Sequence, residues 1–194
     1  RLTKKNTAIS TSCSPPASAE NRGKISPQFS GKSPPFDHIG NIFSDFLCIV
    51  GPTGCGKTTF LNLLTKLIEP TSGQILIDGV PADPHKHNIS FVFQEPSAFP
   101  WLTTQQNLEY GLKIKKIPKK EMEQRVNDII ELLGLERFRN AYPHEMSVSM
   151  EQRVVIGRAF AMHPDLLLMD EPYGQMDIKM RYYLEDEVIK LWKA

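Results

Sequence analysis

The segment Gly51-Pro-Thr-Gly-Cys-Gly-Lys-Thr58 constrains this chain more than any other feature. It fits G-x-x-x-x-G-K-[ST], in which glycines let consecutive backbone N–H groups curl around a phosphate that side chains would block. The helix after such a turn points its positive end at the same anion. Lys57 would reach the β- and γ-phosphates of a nucleotide, and the Thr58 hydroxyl would ligate Mg²⁺. Average residue usage yields the pattern by chance in about one chain in a hundred of this length, so context decides. Here a predicted buried strand, Phe46–Val50, runs into it. A predicted amphipathic helix, Thr58–Ile68, leaves it, with Phe60, Leu61, Leu64, Leu67 and Ile68 on one face and Pro70 as the stop.

Further strands are expected at Gly73–Gly79, an alternating stretch that reads as an outer antiparallel strand, at Ile89–Phe93 and at Leu166–Met169. Helices are expected over residues 119–133, where Met122, Val126, Ile129, Ile130 and Leu133 share a face that ends near Gly134, and at Met150–Met162 and Met180–Trp192. Strands alternating with helices indicate an α/β fold with a mainly parallel sheet, an antiparallel β edge, and a helical subdomain inserted between about 100 and 160. Residues 1–36 differ: Ser, Thr and Pro recur, apolar residues are sparse, and the expectation is a disordered tail. Residues 37–194 then form one domain, with its core in 37–98 and 159–194 and the helical subdomain in 99–158.

A second chemical element is Leu166-Leu-Leu-Met-Asp-Glu171. Four apolar residues form a buried strand that delivers two carboxylates at its end, where parallel sheets bind ligands. Asp170 would hold Mg²⁺ and Glu171 would polarise an attacking water. Alone this is a weak signal; 113 residues after Lys57 of a phosphate loop it becomes a strong one.

The bulk properties narrow the class. A formal net charge of +1 gives no reason to expect a nucleic-acid partner. No apolar stretch approaches the roughly 20 residues of a membrane-spanning helix, so work at a membrane would need other subunits to cross it. Basic Arg1–Ser10 has no apolar core behind it and is not a signal peptide; the start at Arg rather than Met suggests a fragment or a processed chain. Cys13, Cys48 and Cys55 are odd in number and far apart, which fits a reducing compartment. Lys113, Lys115, Lys116, Lys119 and Lys120 read as a solvated face, and Asp83, His85 and His87 as a loop before a strand rather than a metal site.

With both phosphate-site elements in view, the chain resembles the ABC-transporter ATPases from about Phe43 to its end. Phe91-Val-Phe-Gln-Glu-Pro96 looks like the Q-loop, continued by Pro100-Trp-Leu-Thr-Thr104 and Asn107. Tyr142-Pro-His-Glu-Met-Ser-Val-Ser-Met-Glu-Gln-Arg-Val154 looks like the signature loop and its helix, and Glu171-Pro-Tyr-Gly-Gln-Met-Asp177 like the approach to the D-loop. The wording Phe99-Pro-Trp-Leu-Thr103 and Leu167-Leu-Met-Asp-Glu-Pro172 is most similar to importer ATPases of the nitrate, sulfonate and taurine group.

The resemblance implies a RecA-like P-loop fold that takes ATP and Mg²⁺. It places Gly51, Pro52, Thr53, Gly54, Cys55, Gly56, Lys57, Thr58 and Thr59 on the nucleotide, Thr58, Gln94 and Asp170 on the metal, and Glu171 with Gln94 in hydrolysis. Ser147 would complete the site of a second ATPase domain in a homo- or heterodimer. The implied partners are transmembrane permease subunits and no nucleic acid, and the implied place is peripheral, on the cytoplasmic side of the cell membrane.

Three departures stand out. The signature normally reads Leu-Ser-Gly-Gly; here Met146-Ser-Val-Ser149 keeps the serine and replaces both glycines. Val148 is β-branched and disfavours any positive φ a glycine supplied, and Ser149 adds bulk beside a phosphate. A loss on the order of 1–3 kcal/mol per site is expected, hence impaired hydrolysis. The family's switch histidine would lie about thirty residues beyond Glu171, whereas the sequence ends 23 residues beyond it, as a C-terminally truncated domain would. Phe29 stands at the distance of the adenine-stacking aromatic, in surroundings unlike the family's.

Overall fold

The computed structural model describes residues 7–10 and 46–193, apart from 78, 79, 85, 175 and 177. The elements run β1 (Thr7–Ser10), β2 (Phe46–Cys48), α1 (Lys57–Leu64), β3 (Leu76–Ile77), β4 (Val80–Pro81) and β5 (Ile89–Val92). They continue with α2 (Thr104–Ile114), α3 (Lys119–Leu132), two single 3₁₀ turns, α4 (Val148–Ala161), β6 (Leu166–Met169) and α5 (Ile178–Lys193). Among the described residues, β2, β1, β6 and β5 form, in that order, a wholly parallel sheet, and β3 and β4 form a separate antiparallel pair.

The sheet is parallel because α1, α4 and the segments around them return the chain to the same edge each time. Its register sets Cys48, Ser10, Met169 and Val92 level with one another. The segments that follow β2, β5 and β6 therefore leave from one edge. Those segments are the glycine-rich turn, the stretch containing Gln94, and Asp170 with Glu171.

The alternation of β6 decides its packing. Leu166 and Leu168 join Leu61 and Leu64 of α1 in one apolar cluster. Leu167 and Met169 face the other way, into a larger cluster built by Leu108 and Leu112 of α2, Val126 and Ile130 of α3, and Val154 and Val155 of α4. A strand covered on both faces needs apolar residues throughout, and all four of its residues are buried. Helices α2, α3 and α4 pack closely on one another; at Gly157 an added Cβ would lie 2.8 Å from Leu133 Cδ1 and 2.9 Å from Ile129 Cγ2.

Two expectations need correction here. Thr7–Ser10 is a central strand, so the expected disordered tail does not hold for those four residues; Phe29, Cys13 and the remainder of residues 1–36 lie outside the described residues. A composition averaged over 36 residues hides one short Thr-Ala-Ile-Ser run with β-branched residues at alternate positions. Helix α1, in turn, ends at Leu64, well before Pro70. Lys66 adopts φ 55°, and the N–H groups of Leu67 and Ile68 both return to the Asn62 carbonyl, at 3.0 and 3.4 Å. The helix is thus closed by a left-handed cap.

Candidate phosphate-binding site

The turn from β2 into α1 is built as the sequence requires. Gly54 and Gly56 hold φ of 80° and 97°, values that a side chain would strain. Gly56 is itself the N-cap of α1, so the first free N–H groups of the helix open toward the turn. Lys57 and Thr58 occupy the first two positions of that helix, and Thr58 and Thr59 are exposed. Pro52, Thr53 and Cys55 are exposed on the turn, where the backbone of Cys55 closes it with an N–H bond to the Pro52 carbonyl at 3.3 Å.

Lys57 folds back over the turn. Its ammonium donates to the carbonyls of Gly51 at 3.1 Å and Pro52 at 3.3 Å, and lies 3.9 Å from Glu171 Oε1. Glu171 Oε2 accepts from Gln94 Nε2 at 3.4 Å. One carboxylate thereby joins the ends of β2, β5 and β6, and three residues singled out from sequence meet in space. Glu171 also adopts φ 45°, which is unusual for a residue with a side chain and marks local strain. Asp170 beside it is only 4% exposed, with its N–H bonded to the Val92 carbonyl at 2.9 Å, so its carboxylate stands at the buried foot of the site.

Ser147 stands apart from that cluster as the N-cap of α4. Its hydroxyl accepts from the Met150 N–H at 3.3 Å and pairs with the Ser149 hydroxyl at 3.1 Å. Val148 and Ser149 are the first residues of α4, and neither has positive φ. The strain expected at Val148 is therefore absent, because the helix begins immediately after the serine. Val148 is instead half exposed, on the rim of a crevice shared with Gln94 and Pro172. Among the other residues weighed from sequence, the His87 ring turns onto the backbone of Asp83, at 3.1 Å from its carbonyl, and His85 and Asp177 lie outside the described residues.

Two further residues shape the loop that follows β5: Asn107, which the sequence offered only as part of the Q-loop resemblance, and Arg158, which sequence reasoning missed. Asn107 is fully buried. Its Oδ1 accepts from the Phe99 N–H at 2.8 Å, while its Nδ2 reaches the carbonyls of Phe99, Leu102 and Thr103 at 3.0–3.2 Å. It so shapes the Phe99–Thr103 loop ahead of α2. Arg158 lies 4.6 Å over the Phe99 ring and donates to the Ser97 carbonyl at 2.9 Å; burial pulls its guanidinium below its ordinary range. A charged residue inside the apolar run Val154–Ala161 was the signal that could have found Arg158; Asn107, with Thr104, Gln105 and Gln106 ahead of it, carried no such contrast.

A glycine turn with open N–H groups, a lysine at its exit, a hydroxyl at the next position and two carboxylates just past the end of β6 form a donor set suited to a nucleotide's phosphates and a hard divalent cation. Fold and site together define a phosphate-loop α/β protein. Comparison with known proteins then sharpens this: a family profile described as ABC transporter matches residues 44–174, and the chain belongs to that family. A nitrate import ATP-binding protein of Synechocystis is 42% identical over 149 residues, spanning 77% of this chain and 56% of the relative. A trehalose/maltose import ATP-binding protein of Thermococcus litoralis is 41% identical over 156 residues, covering 76% of this chain and 42% of the relative. Among solved structures, cbiO1 of Clostridium perfringens, part of the ABC transporter complex cbiONQ, superposes with a TM-score of 0.65. It is 27% identical, with 74% of this chain and 60% of that one covered. The chain spans about half the length of the curated relatives it matches.

Proposed function

We propose that this chain is the ATP-binding part of an ABC importer, in which MgATP binding and hydrolysis drive a membrane partner. The observation that carries the reading is the Lys57–Glu171–Gln94 cluster at the mouth of the glycine turn. Its three residues are those that a nucleotide and its cation would recruit. The phosphates would draw Lys57 off the Gly51 and Pro52 carbonyls, the cation would be held by Thr58, Gln94 and Asp170, and Glu171, released from Lys57, would orient the attacking water. Ser147 would act on the nucleotide of a second ATPase domain, same or different. The two-part division, with residues 99–158 as a helical subdomain moving against the core, belongs to this proposal.

Importer identity rests on the import ATP-binding relatives. Relatives for nitrate and for sugars match about equally well, so cargo choice belongs to other subunits; a small solute of the nitrate, sulfonate or taurine type agrees with the local wording around Pro100-Trp101. Among the described residues no helix is long and apolar enough to cross a membrane, so the partner would supply the spanning segments and this chain would sit peripherally on the cytoplasmic side.

A second reading is favoured by Val148 and Ser149: a cassette that binds nucleotide and hydrolyses it slowly or not at all, as a regulatory or heterodimer partner. Light scattering on the Glu171→Gln variant with and without MgATP separates the two. A nucleotide-dependent dimer is expected of a working importer motor. A chain that binds ATP and stays monomeric would move the binding-only reading ahead.

A further inference from the structure

Gln152 lies on the second turn of α4, is only 3% exposed, and has neither Nε2 nor Oε1 hydrogen-bonded. Native folds leave few buried amides in this condition, because each unmade bond forfeits the solvation the group gave up. The side chain opens on a small crevice lined also by Gln94, Pro96, Val148, Pro172 and Met176. These come from the three segments that bear the proposed chemistry: the loop after β5, the start of α4, and the stretch after Glu171. Four of the six are apolar. Two primary amides, Gln94 and Gln152, are thus placed on the walls of an otherwise apolar crevice, where a hydrogen bond between them would be stronger than in water.

Gln94 is at present engaged elsewhere, by a long 3.4 Å bond to Glu171, which also neighbours Lys57. A phosphate arriving at Lys57 and a cation at Asp170 both change what Glu171 and Gln94 can hold. We propose that Gln152 is a positioning residue: when nucleotide binds, its amide pairs with the Gln94 amide or its loop and fastens the first turns of α4, Ser147 included, to the phosphate site. The inference rests on the nucleotide-binding reading above. A ligand shifts such an equilibrium only by its differential interaction with the two arrangements, and a buried amide satisfied in one and unsatisfied in the other supplies that difference. Val148 sits on the wall of the same crevice, so the residue that replaces the family's glycine borders the coupling bond as well as the loop.

The test uses the full chain with Gln152→Leu, which keeps most of the bulk and the burial but removes both polar atoms, and Gln152→Glu, which keeps an acceptor. Melting temperature is measured without nucleotide, with MgADP and with MgATP, alongside steady-state hydrolysis. Without nucleotide, Gln152→Leu should melt a few degrees higher than wild type, since an unsatisfied group has gone. The further rise produced by MgATP should shrink at least twofold. Turnover should fall about tenfold or more with KM within about threefold, and Gln152→Glu should fall between. A nucleotide-induced rise equal to wild type in Gln152→Leu, or a variant that melts lower without nucleotide, would overturn the inference. A wild-type chain that shows no nucleotide-induced rise, matching Lys57→Ala, would overturn the nucleotide-binding reading itself, which is a distinct result.

Discussion

Replacing Asn107 by leucine removes one amide of nearly the same size from a fully buried position, and the structure allows the loss to be worked out bond by bond. Nδ2 carries two hydrogens for three carbonyl contacts, so at most two are strong bonds. The Thr103 carbonyl already accepts from the Asn107 N–H at 2.8 Å and the Phe99 carbonyl from the Leu102 N–H at 3.1 Å. The damage therefore falls on the Leu102 carbonyl and, above all, on the Phe99 N–H, whose acceptor at 2.8 Å is Asn107 Oδ1. An orphaned buried donor costs about 1–3 kcal/mol and each lost ordinary bond about 0.5–1.5 kcal/mol, less the gain from burying leucine. Before the leucine gain the sum is about 1.5–4.5 kcal/mol and after it about 1–3 kcal/mol, a large share of the 5–15 kcal/mol typical of a folded domain. In urea, with a slope near 2 kcal/mol/M, the midpoint should fall by about 0.5–1.5 M. Asn107→Asp should also be destabilising: it keeps the acceptor for Phe99 but turns a carboxylate onto the carbonyls. Its penalty should shrink as pH falls and the group protonates. A leucine variant within about 0.5 kcal/mol of wild type would refute the reasoning, because it would mean that the Phe99–Thr103 loop finds these bonds elsewhere.

Two further outcomes follow from the same geometry. Restoring glycine at Val148 and Ser149 together should raise turnover about tenfold to hundredfold through better access of phosphate to the α4 amides, with little change in melting temperature; an unchanged rate in a steady-state assay would sink the impairment idea. Burial raises the Glu185 carboxyl above its ordinary range, with Asp186 adding to the rise and Arg181 opposing it, and its Oε1 is buried without a hydrogen-bond partner. A raised carboxyl favours the protonated form, so its stabilising effect is complete at acid pH and is lost as pH rises through the folded value. Glu185→Gln should therefore gain stability on wild type as pH climbs from 4 to 7, and parallel stability–pH curves would contradict this.

The parts of the fold legible in sequence were those where local chemistry and periodicity agree. Glycines at 54 and 56 announce positive φ, four apolar residues at Leu166–Met169 announce a strand covered on both faces, and the spacing over α3 announces one buried stripe. The meeting of Lys57, Gln94 and Glu171 was legible for the same reason: each follows a strand of one parallel sheet, so a reading of the strands brings them to one edge. What escaped depended on tertiary context. Helix α2 has a small apolar stripe, and its start is written in polar residues, Thr103 and Gln106, which form a reciprocal capping box. Strand β1 owes its place to the gap between β2 and β6, which no property of Thr7–Ser10 itself reveals. The left-handed cap at Lys66 uses a residue with no special preference for that conformation, so Pro70 was the more visible and the wrong stop.

The central claim is that the turn at Gly51–Thr58, closed now by Lys57 and Glu171, receives the phosphates of a nucleotide with its cation. Equilibrium binding of ATP, with Mg²⁺ and in the presence of a chelator, measures this directly on the wild-type chain and on Lys57→Ala. The account predicts saturable binding that weakens without Mg²⁺ and is lost or reduced at least tenfold in Lys57→Ala. Equal affinity in the two proteins, or no binding by wild type at millimolar MgATP, would contradict it.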